Sequence, residues 1–166
     1  MSKAFLYNQW SIKGKSTLLR IIAGTEKVEG ESKLGYTVDM GFFAQHQLEA
    51  LNASNDMLTE LKQAGSEKTE QELRGVLGCF LFSDEEVFKK IKVLSGGEKS
   101  RVALAKTLIG EANFLLLDEP TNHLDMQSVN ILIQALQQYQ GTCIIVSHDR
   151  FFISQVANKI CYIENK

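Results

Sequence analysis

Two features of the sequence predict an α/β fold with a largely parallel sheet. Segments typical of strands alternate with segments typical of helices along the chain. The apolar runs at 113–117 and 142–147 are continuous rather than alternating, which is the pattern of strands buried on both faces. A chain of 166 residues with 44% hydrophobic and 23% charged residues is long enough for one core. We therefore expect a single domain over 1–166, with a helical lobe inserted at about 48–92.

Composition excludes several classes of protein. The 18 Lys and Arg nearly balance the 20 Asp and Glu, so the net charge of −2 argues neither for nor against nucleic acid. No apolar run approaches the roughly 18 residues of a membrane span, and the first residues do not resemble a signal peptide. The three cysteines are far apart and odd in number, so we expect no disulfide framework and a reducing, cytoplasmic location.

The first elements follow from short local patterns. Residues 3–7 are apolar and aromatic and predict a strand. A helix is predicted to begin after Gly14 and to end at Gly24, since glycine is the usual residue just past a helix end. Residues 35–44 alternate loosely, which predicts a strand that contains a turn.

The central part, residues 48–92, has a different character. Its leucines lie among polar residues at helical spacing. Thr69 with Glu72, and Ser83 with Glu86, each match the capping box, in which a hydroxyl and a carboxylate satisfy the first amides of a helix. The segment is therefore predicted to be helical and free of strands.

The remaining elements alternate regularly between the two types. In chain order we predict a helix at 98–109, a strand at 113–117, a helix at 129–139, a strand at 142–147, a helix at 151–157 and a strand at 159–164.

A candidate phosphate site lies at Gly14, Lys15, Ser16 and Thr17, between a predicted strand and a predicted helix. The amides at a helix start face an anion, Lys15 can reach the outer phosphates, and the Ser16 hydroxyl can bind Mg²⁺. The complete phosphate-loop pattern begins with a glycine where this chain has Gln9, so only its second half is present. The alternative is a helix that happens to begin with these residues.

Further candidates follow buried strands. Asp118 and Glu119 end the strand at 113–117, which places them in the usual ligand crevice of an open α/β sheet. Asp118 suits Mg²⁺, and Glu119 suits activation of a water. The alternative is that both acids only solvate the strand end. His148 can donate to a γ-phosphate, although a lone histidine is more often structural, and Gln45 can reach the metal or the water.

The string LSGGEKSR at 94–101 contains Ser95, Gly96, Gly97 and Glu98, which we call the signature segment. Two glycines before a helix allow a phosphate to approach the backbone. Because one phosphate site is already assigned, this second one would serve another nucleotide or another copy of the domain. The alternative is a simple capped helix start.

Together these strings resemble the nucleotide-binding domain of the ATP-binding cassette (ABC) superfamily over residues 14–164. In that resemblance the functional positions are Gly14–Thr17 for the end of Walker A, Gln45 for the Q-loop, Ser95–Glu98 for the ABC signature, Asp118 and Glu119 for Walker B and the catalytic acid, Asp125 for the D-loop and His148 for the switch histidine. The resemblance implies a P-loop NTPase-type fold, binding of ATP and Mg²⁺, and ATP hydrolysis between two cassettes.

The strings DEPTNHLD at 118–125 and VSHDRFF at 146–152 resemble the soluble ABC-F proteins, which act on ribosomes, and residues 80–108 resemble their second cassette. This implies an ATP-dependent switch. Its expected partners are a second cassette, in the same chain of the full gene or in a homodimer, and the ribosome or its RNA. Two alternatives remain open: the nucleotide-binding subunit of a membrane transporter, and a relic that no longer hydrolyses ATP.

The chain departs from the family before Gly14. Gln9 and Ile12 stand where the family has glycines, and β-branched Ile12 tolerates a positive φ poorly. The spacing before Gly14 is also about two residues longer than the pattern. Only 13 residues precede Gly14, so we expect an N-terminally incomplete cassette that lacks the family's antiparallel lobe and its adenine-stacking aromatic residue.

Overall fold

A parallel five-stranded sheet forms the centre of the computed structural model, which describes residues 3–7, 14–44, 48–64 and 67–162. The strands are β1 (Lys3–Tyr7), β2 (Met40–Phe43), β3 (Phe114–Asp118), β4 (Thr142–Val146) and β5 (Lys159–Tyr162). Their order in the sheet is β2-β3-β4-β1-β5, and every neighbouring pair is parallel. The predicted α/β class with a parallel sheet is confirmed.

Helices occupy the connections between these strands. They are α1 (Lys15–Ile22), α2 (Met57–Lys62), α3 (Glu70–Cys79), α4 (Gly96–Ile109), α5 (Met126–Gln138) and α6 (Arg150–Val156), with 3₁₀ turns at Glu86–Phe88 and Ile91–Val93. Over 48–64 and 67–92 the backbone forms no strand apart from one isolated bridge between Asp56 and Lys90. The prediction that this part is helical is confirmed.

The predicted strand at 35–44 is right only in its second half. Residues 31–39 form no strand, a turn lies at 36–37, and β2 begins at Met40. The Tyr36 side chain is fully exposed, so its aromatic character does not reflect a buried strand. The alternation in this segment was therefore misleading. Hydrogen bonds join Thr37 and Asp39 to Asn113, but the backbone over 31–39 forms no strand.

Capping explains where the helices begin. In α3 the Glu72 amide donates to Thr69 Oγ1 and the Thr69 amide donates to Glu72 Oε2, so the predicted box is complete. Ser83 and Glu86 make only half of a box. The Ser83 amide donates to Glu86 Oε2 at 3.0 Å, and the backbone from Glu86 forms a single 3₁₀ turn rather than an α-helix.

The two faces of the sheet are covered unequally. Leu115 and Leu117 of β3 point into a large buried cluster that includes residues of α2 to α6. Leu116 points to the opposite face, where the buried cluster formed by the described side chains contains Leu19 of α1 and Val146 besides itself. The helical residues 57–80 thus share a continuous core with one face of the sheet, and α1 covers the other.

The strand register brings the candidate residues together. Asp118 at the end of β3 is the partner of Val146 at the end of β4, and Val146 is also the partner of Leu6 in β1. Because the strands are parallel, the carboxyl ends of β1, β3 and β4 meet at one edge of the sheet. The start of α1 lies at this same edge.

Candidate nucleotide-binding site

The start of α1 has the features of an anion-binding helix end. Gly14 occupies the N-cap position with φ 115°, a conformation that favours glycine. No side chain of the described residues caps this end, in contrast to α3. Lys15 is almost fully buried, at 3% exposure, so its ammonium group lies within the site rather than in bulk solvent. A helix end without a side-chain cap, with a buried cation beside it, suits a phosphate group.

Ser16 and Asp118 form the centre of the site. The Ser16 hydroxyl donates to Asp118 Oδ1 at 2.8 Å, and Asp118 is 8% exposed. A hydroxyl and a carboxylate are the oxygen ligands that Mg²⁺ prefers. Among the described residues, no group of three or more His, Cys, Asp and Glu could hold a metal. A magnesium ion here would therefore take its remaining ligands from phosphate and water, as Mg²⁺ commonly does at nucleotide sites.

Glu119 and His148 lie in direct contact. His148 Nε2 is 3.3 Å from Glu119 Oε1, and the His148 amide donates to Glu119 Oε2 at 3.2 Å. The Glu119 amide donates to the Val146 carbonyl at 2.8 Å, which fixes the acid against the end of β4. Both carboxylate oxygens of Glu119 are thus held by one residue.

The backbone and the pKa of Glu119 are both perturbed. Its φ is 50°, a left-handed conformation that is uncommon for residues other than glycine and that recurs at functional sites. Burial raises the pKa of the Glu119 carboxyl, the nearby His148 opposes that rise, and the Asp118 carboxylate adds to it. A carboxylate with a raised pKa is a stronger proton acceptor.

A cleft of about 400 Å³ joins Ser16 and Asp118 to Glu119. It is lined by Ser16, Arg20, Ala44, Glu49, Asp118, Glu119 and Asn122. Three of these residues were not predicted from the sequence, namely Arg20, Glu49 and Asn122. Arg20 follows Ser16 by one helical turn, a spacing from which its position could have been inferred, whereas Glu49 and Asn122 carried no such signal. A second cavity of about 390 Å³ between β2 and α4 contains none of the predicted site residues.

Gln45, Gln9 and Ile12 lie outside the described residues. The assignment of Gln45 as a ligand of the metal or the water therefore stays a prediction, as does the expected effect of Gln9 and Ile12 on the phosphate loop.

The signature segment forms the start of α4 and does not line this cleft. The Ser95 amide donates to Glu98 Oε2 at 2.7 Å and the Glu98 amide donates to Ser95 Oγ at 3.3 Å, a complete capping box. Hydrogen bonds with Ser95 lower the pKa of the Glu98 carboxyl. A capped helix start was only the alternative interpretation of this segment, and the box itself was not predicted, although the pattern S-x-x-E indicates it.

The second glycine of the signature segment is explained by a close contact. A Cβ atom at Gly97 would lie 3.0 Å from the carbonyl oxygen of His123. His123 has φ 65°, and the Leu124 amide donates to the Thr121 carbonyl at 3.2 Å, so the backbone turns sharply here. The start of α4 therefore packs directly on the loop that leads to Asp125.

Asp125 has a structural role in this arrangement. Its side chain accepts a hydrogen bond from the Ser128 amide at 2.8 Å and so caps α5. This hydrogen bond lowers the pKa of the Asp125 carboxyl. Asp125 is exposed, and it follows Glu119 by six residues in the sequence.

No helix among the described residues is both long enough and apolar enough to span a membrane. Comparison with protein families matches residues 13–122 to the family described as ABC transporter. Two curated proteins are similar over most of this chain. The putative ATP-binding protein YdiF of Bacillus subtilis is 47% identical over 89% of the chain and 23% of its own length. The ABC transporter F family member 5 of Arabidopsis thaliana is 42% identical over 92% of the chain and 22% of its own length.

Solved structures share the fold. The ATP-binding cassette MJ0796, described as a dimer in a post-hydrolysis state bound to ADP and Pi, superposes with a TM-score of 0.74 at 23% identity. The superposition covers 98% of this chain and 81% of that protein. The chain itself spans less than a quarter of the length of the curated relatives, at 22% and 23%.

Proposed function

The chain belongs to the ABC transporter family, and from this we propose that it is an ATP-binding and ATP-hydrolysing cassette of ABC-F type that acts as an ATP-dependent switch. One observation carries the proposal. Ser16 and Asp118, joined by a hydrogen bond of 2.8 Å, line a single cleft together with Glu119, whose carboxylate lies 3.3 Å from His148. The start of α1 beside them has no side-chain cap among the described residues. The proposal includes a single domain over 1–166 with residues 48–92 as an inserted helical lobe.

The predicted site residues in and beside the cleft have proposed tasks. The amides at the start of α1, from Gly14 to Thr17, bind the phosphates, and the Lys15 ammonium neutralises their charge. Ser16 Oγ and Asp118 Oδ1 hold Mg²⁺, with Gln45 as a proposed additional ligand. When bound, the metal supplies charge neutralisation at the phosphate oxygens.

Glu119 is proposed to accept a proton from the attacking water. Its raised pKa favours that role, because a stronger base removes the proton more readily. Each of its oxygens keeps a lone pair beyond its contact with His148, so Glu119 can accept a hydrogen bond from a water while His148 holds the carboxylate in place. His148 is proposed to donate a hydrogen bond to the γ-phosphate. Glu119 and His148 are therefore already in contact before they act in the same step.

The signature segment is proposed to contact the nucleotide of an opposing cassette. Ser95, Gly96 and Gly97 are outside the cleft of their own chain, so their phosphate partner lies elsewhere. The Ser95 hydroxyl accepts from Glu98, which leaves its proton free for donation to a phosphate oxygen. The opposing cassette is a second copy of this chain or another cassette of the full-length protein.

We further propose a cytoplasmic protein whose switch acts on the ribosome or its RNA. Support comes from the strings TNHLD at 121–125 and VSHDRFF at 146–152, and from the similarity to an ABC transporter F family member. The alternative of a transporter subunit remains, because the family includes transporters. Co-sedimentation with ribosomes in the presence of a non-hydrolysable ATP analogue would support the action on the ribosome. Absence of co-sedimentation would oppose it.

The activity is tested by separating binding from turnover. We expect the chain to bind a fluorescent ATP analogue more tightly with Mg²⁺ than without it. Glu119→Gln should keep this binding and lose most phosphate release, because the amide keeps the shape of the carboxylate and cannot accept the proton. Asp118→Asn is the matched control, since it should lose the Mg²⁺ dependence of binding. No binding by the unmodified chain would favour the relic.

A further inference from the structure

The backbone at the C-terminal end of α3 is strained, and a side chain from another helix supports it. Leu81 follows the helix with φ 66°, a left-handed conformation for which glycine is the usual residue. The Phe82 amide donates to the Leu77 carbonyl at 3.1 Å and the Leu81 amide donates to the Gly78 carbonyl at 3.0 Å. These two bonds form a Schellman motif with leucine in the place of glycine. The conformation therefore requires support from its surroundings.

Arg101 of α4 supplies that support. Its Nη1 donates to the Phe80 carbonyl at 3.1 Å, and the centre of its guanidinium group lies 4.5 Å from the centroid of the Phe82 ring. A cation beside the last carbonyls of a helix is favoured by the helix dipole, and a guanidinium group stacks well on an aromatic face. One side chain thus fixes both sides of the strained Leu81.

The same side chain lies close to the signature segment. Arg101 is three residues after Glu98, one helical turn along α4. Hydrogen bonds with Ser95 are the main cause of the lowered pKa of the Glu98 carboxyl, and the charge of Arg101 contributes. Hydrogen bonds with Ser128 are the main cause of the lowered pKa of the Asp125 carboxyl, and Arg101 contributes there too. The guanidinium charge therefore reaches the caps of both α4 and α5.

We propose that Arg101 is a positioning residue that joins the end of α3 to the start of α4, so that the signature segment keeps a fixed position relative to the helical residues 70–82. The consequence for turnover rests on the proposed function, because it requires that Ser95–Gly97 contact a nucleotide. The contact of Arg101 with the end of α3 does not depend on whether the signature segment contacts a nucleotide.

Arg74 offers a matched control. It also packs on an aromatic ring, with its guanidinium centre 4.9 Å from the Phe88 centroid, and it pairs with Glu70 at 2.8 Å. It lies on α3 and makes no contact with α4 in these interactions. Arg101→Met and Arg74→Met therefore each remove an arginine that packs on an aromatic ring. Only Arg101→Met removes a contact between α4 and the end of α3.

The nucleotide-free arm measures hydrogen exchange at the amides of Glu98 and Lys99, which donate to Ser95 and so report on the start of α4. A second change, Leu81→Gly, relieves the backbone strain and should restore the thermal stability that Arg101→Met removes. We expect exchange at both amides to be at least tenfold faster in Arg101→Met/Leu81→Gly, and unchanged in Arg74→Met and in Leu81→Gly alone. Unchanged exchange in the double variant would overturn the proposal.

The nucleotide arm measures association with Mg-ATP by sedimentation in the Glu119→Gln background. We expect Arg101→Met/Leu81→Gly to associate at least tenfold more weakly while its affinity for a fluorescent ATP analogue changes less than twofold. Restored association in this double variant would show that Arg101 only stabilises α3 and would overturn the proposal. If the Glu119→Gln chain itself never associates, the proposed function fails, and hydrogen exchange alone decides the role of Arg101.

Discussion

The starts of α1 and α4 are both glycine-containing helix ends, and they differ in how their first amides are satisfied. At α4, Ser95 and Glu98 complete a capping box within the helix. At α1, Gly14 is the N-cap and no side chain caps the helix. A terminus that caps itself is stable without a ligand, whereas the other gains its partners when an anion binds.

The packing around α1 and α4 also differs. Within the described residues, α4 packs in the large cluster that covers one face of the sheet, and α1 packs in a small cluster with Leu116 and Val146. The residues proposed to hold the metal and the phosphate are therefore beside the smaller of these two clusters. The comparison teaches that this chain separates a helix end without a side-chain cap from a capped one, which agrees with the proposed two-cassette site.

The largest effect we expect is on the free energy of unfolding. Substitution of one buried leucine in each helix compares the packing of α4 with that of α1. Leu104 of α4 and Leu19 of α1 are both fully buried. Leu104→Ala should cost about 4 kcal/mol, because the dense cluster around it cannot collapse into the cavity, and Leu19→Ala about 2 to 3 kcal/mol. Urea unfolding of both variants measures the difference. Equal costs, or a larger cost at Leu19, would show that the two faces are packed equally well.

The second prediction concerns nucleotide affinity in a single chain. Ser16→Ala should weaken binding of Mg-ATP at least tenfold, or about 1.4 kcal/mol, because it removes a metal ligand and the partner of Asp118. Ser95→Ala, the same chemical change at the other helix start, should leave this affinity unchanged. Titration with a fluorescent ATP analogue compares them. Similar losses in both variants would contradict the separation of the two sites.

The smallest effect is the pH dependence of the α4 cap. Hydrogen bonds with Ser95 lower the pKa of Glu98 below its ordinary value of 4.5. A lowered pKa in the folded state means that the cap stabilises the fold above pH 4.5, and that this contribution disappears as the pH falls through the folded-state pKa.

Glu98→Gln measures this contribution, because the amide can still accept the Ser95 hydrogen bond but carries no charge. We expect the difference in unfolding free energy between Glu98→Gln and the unmodified chain to be constant from pH 7 to about 5 and to shrink below that range. A difference that grows on acidification would mean that the charge of Glu98 does not stabilise the folded state.

Much of the candidate site could be predicted because parallel strands bring their carboxyl ends together. Asp118, Glu119 and His148 each follow a buried strand, and the pairing of Asp118 with Val146 is sufficient to place them side by side. The direct contact of Glu119 with His148 could not be predicted, because it depends on the left-handed backbone of Glu119.

Other features depend on contacts between segments that are distant in sequence. The close approach of Gly97 to the His123 carbonyl requires both loops to be in place, so the glycine alone could not reveal it. Leu81 adopts a conformation that its own residue type disfavours and that Arg101 supports from another helix. The segment around the exposed Tyr36 shows the opposite failure. Its local pattern is typical of a strand, but residues 31–39 form none, and Thr37 and Asp39 are held only by hydrogen bonds near the start of β3.

The central claim is that one chain binds Mg-ATP in its own cleft and needs a second cassette for the signature segment. Sedimentation of Glu119→Gln with Mg-ATP, with and without the additional change Ser95→Arg, tests it most directly. We predict a dimer for Glu119→Gln, and a monomer that still binds the nucleotide for Glu119→Gln/Ser95→Arg, since the arginine places bulk and charge at the contact. A Glu119→Gln chain that binds Mg-ATP and stays monomeric, or a dimer that the arginine does not disturb, would contradict the claim.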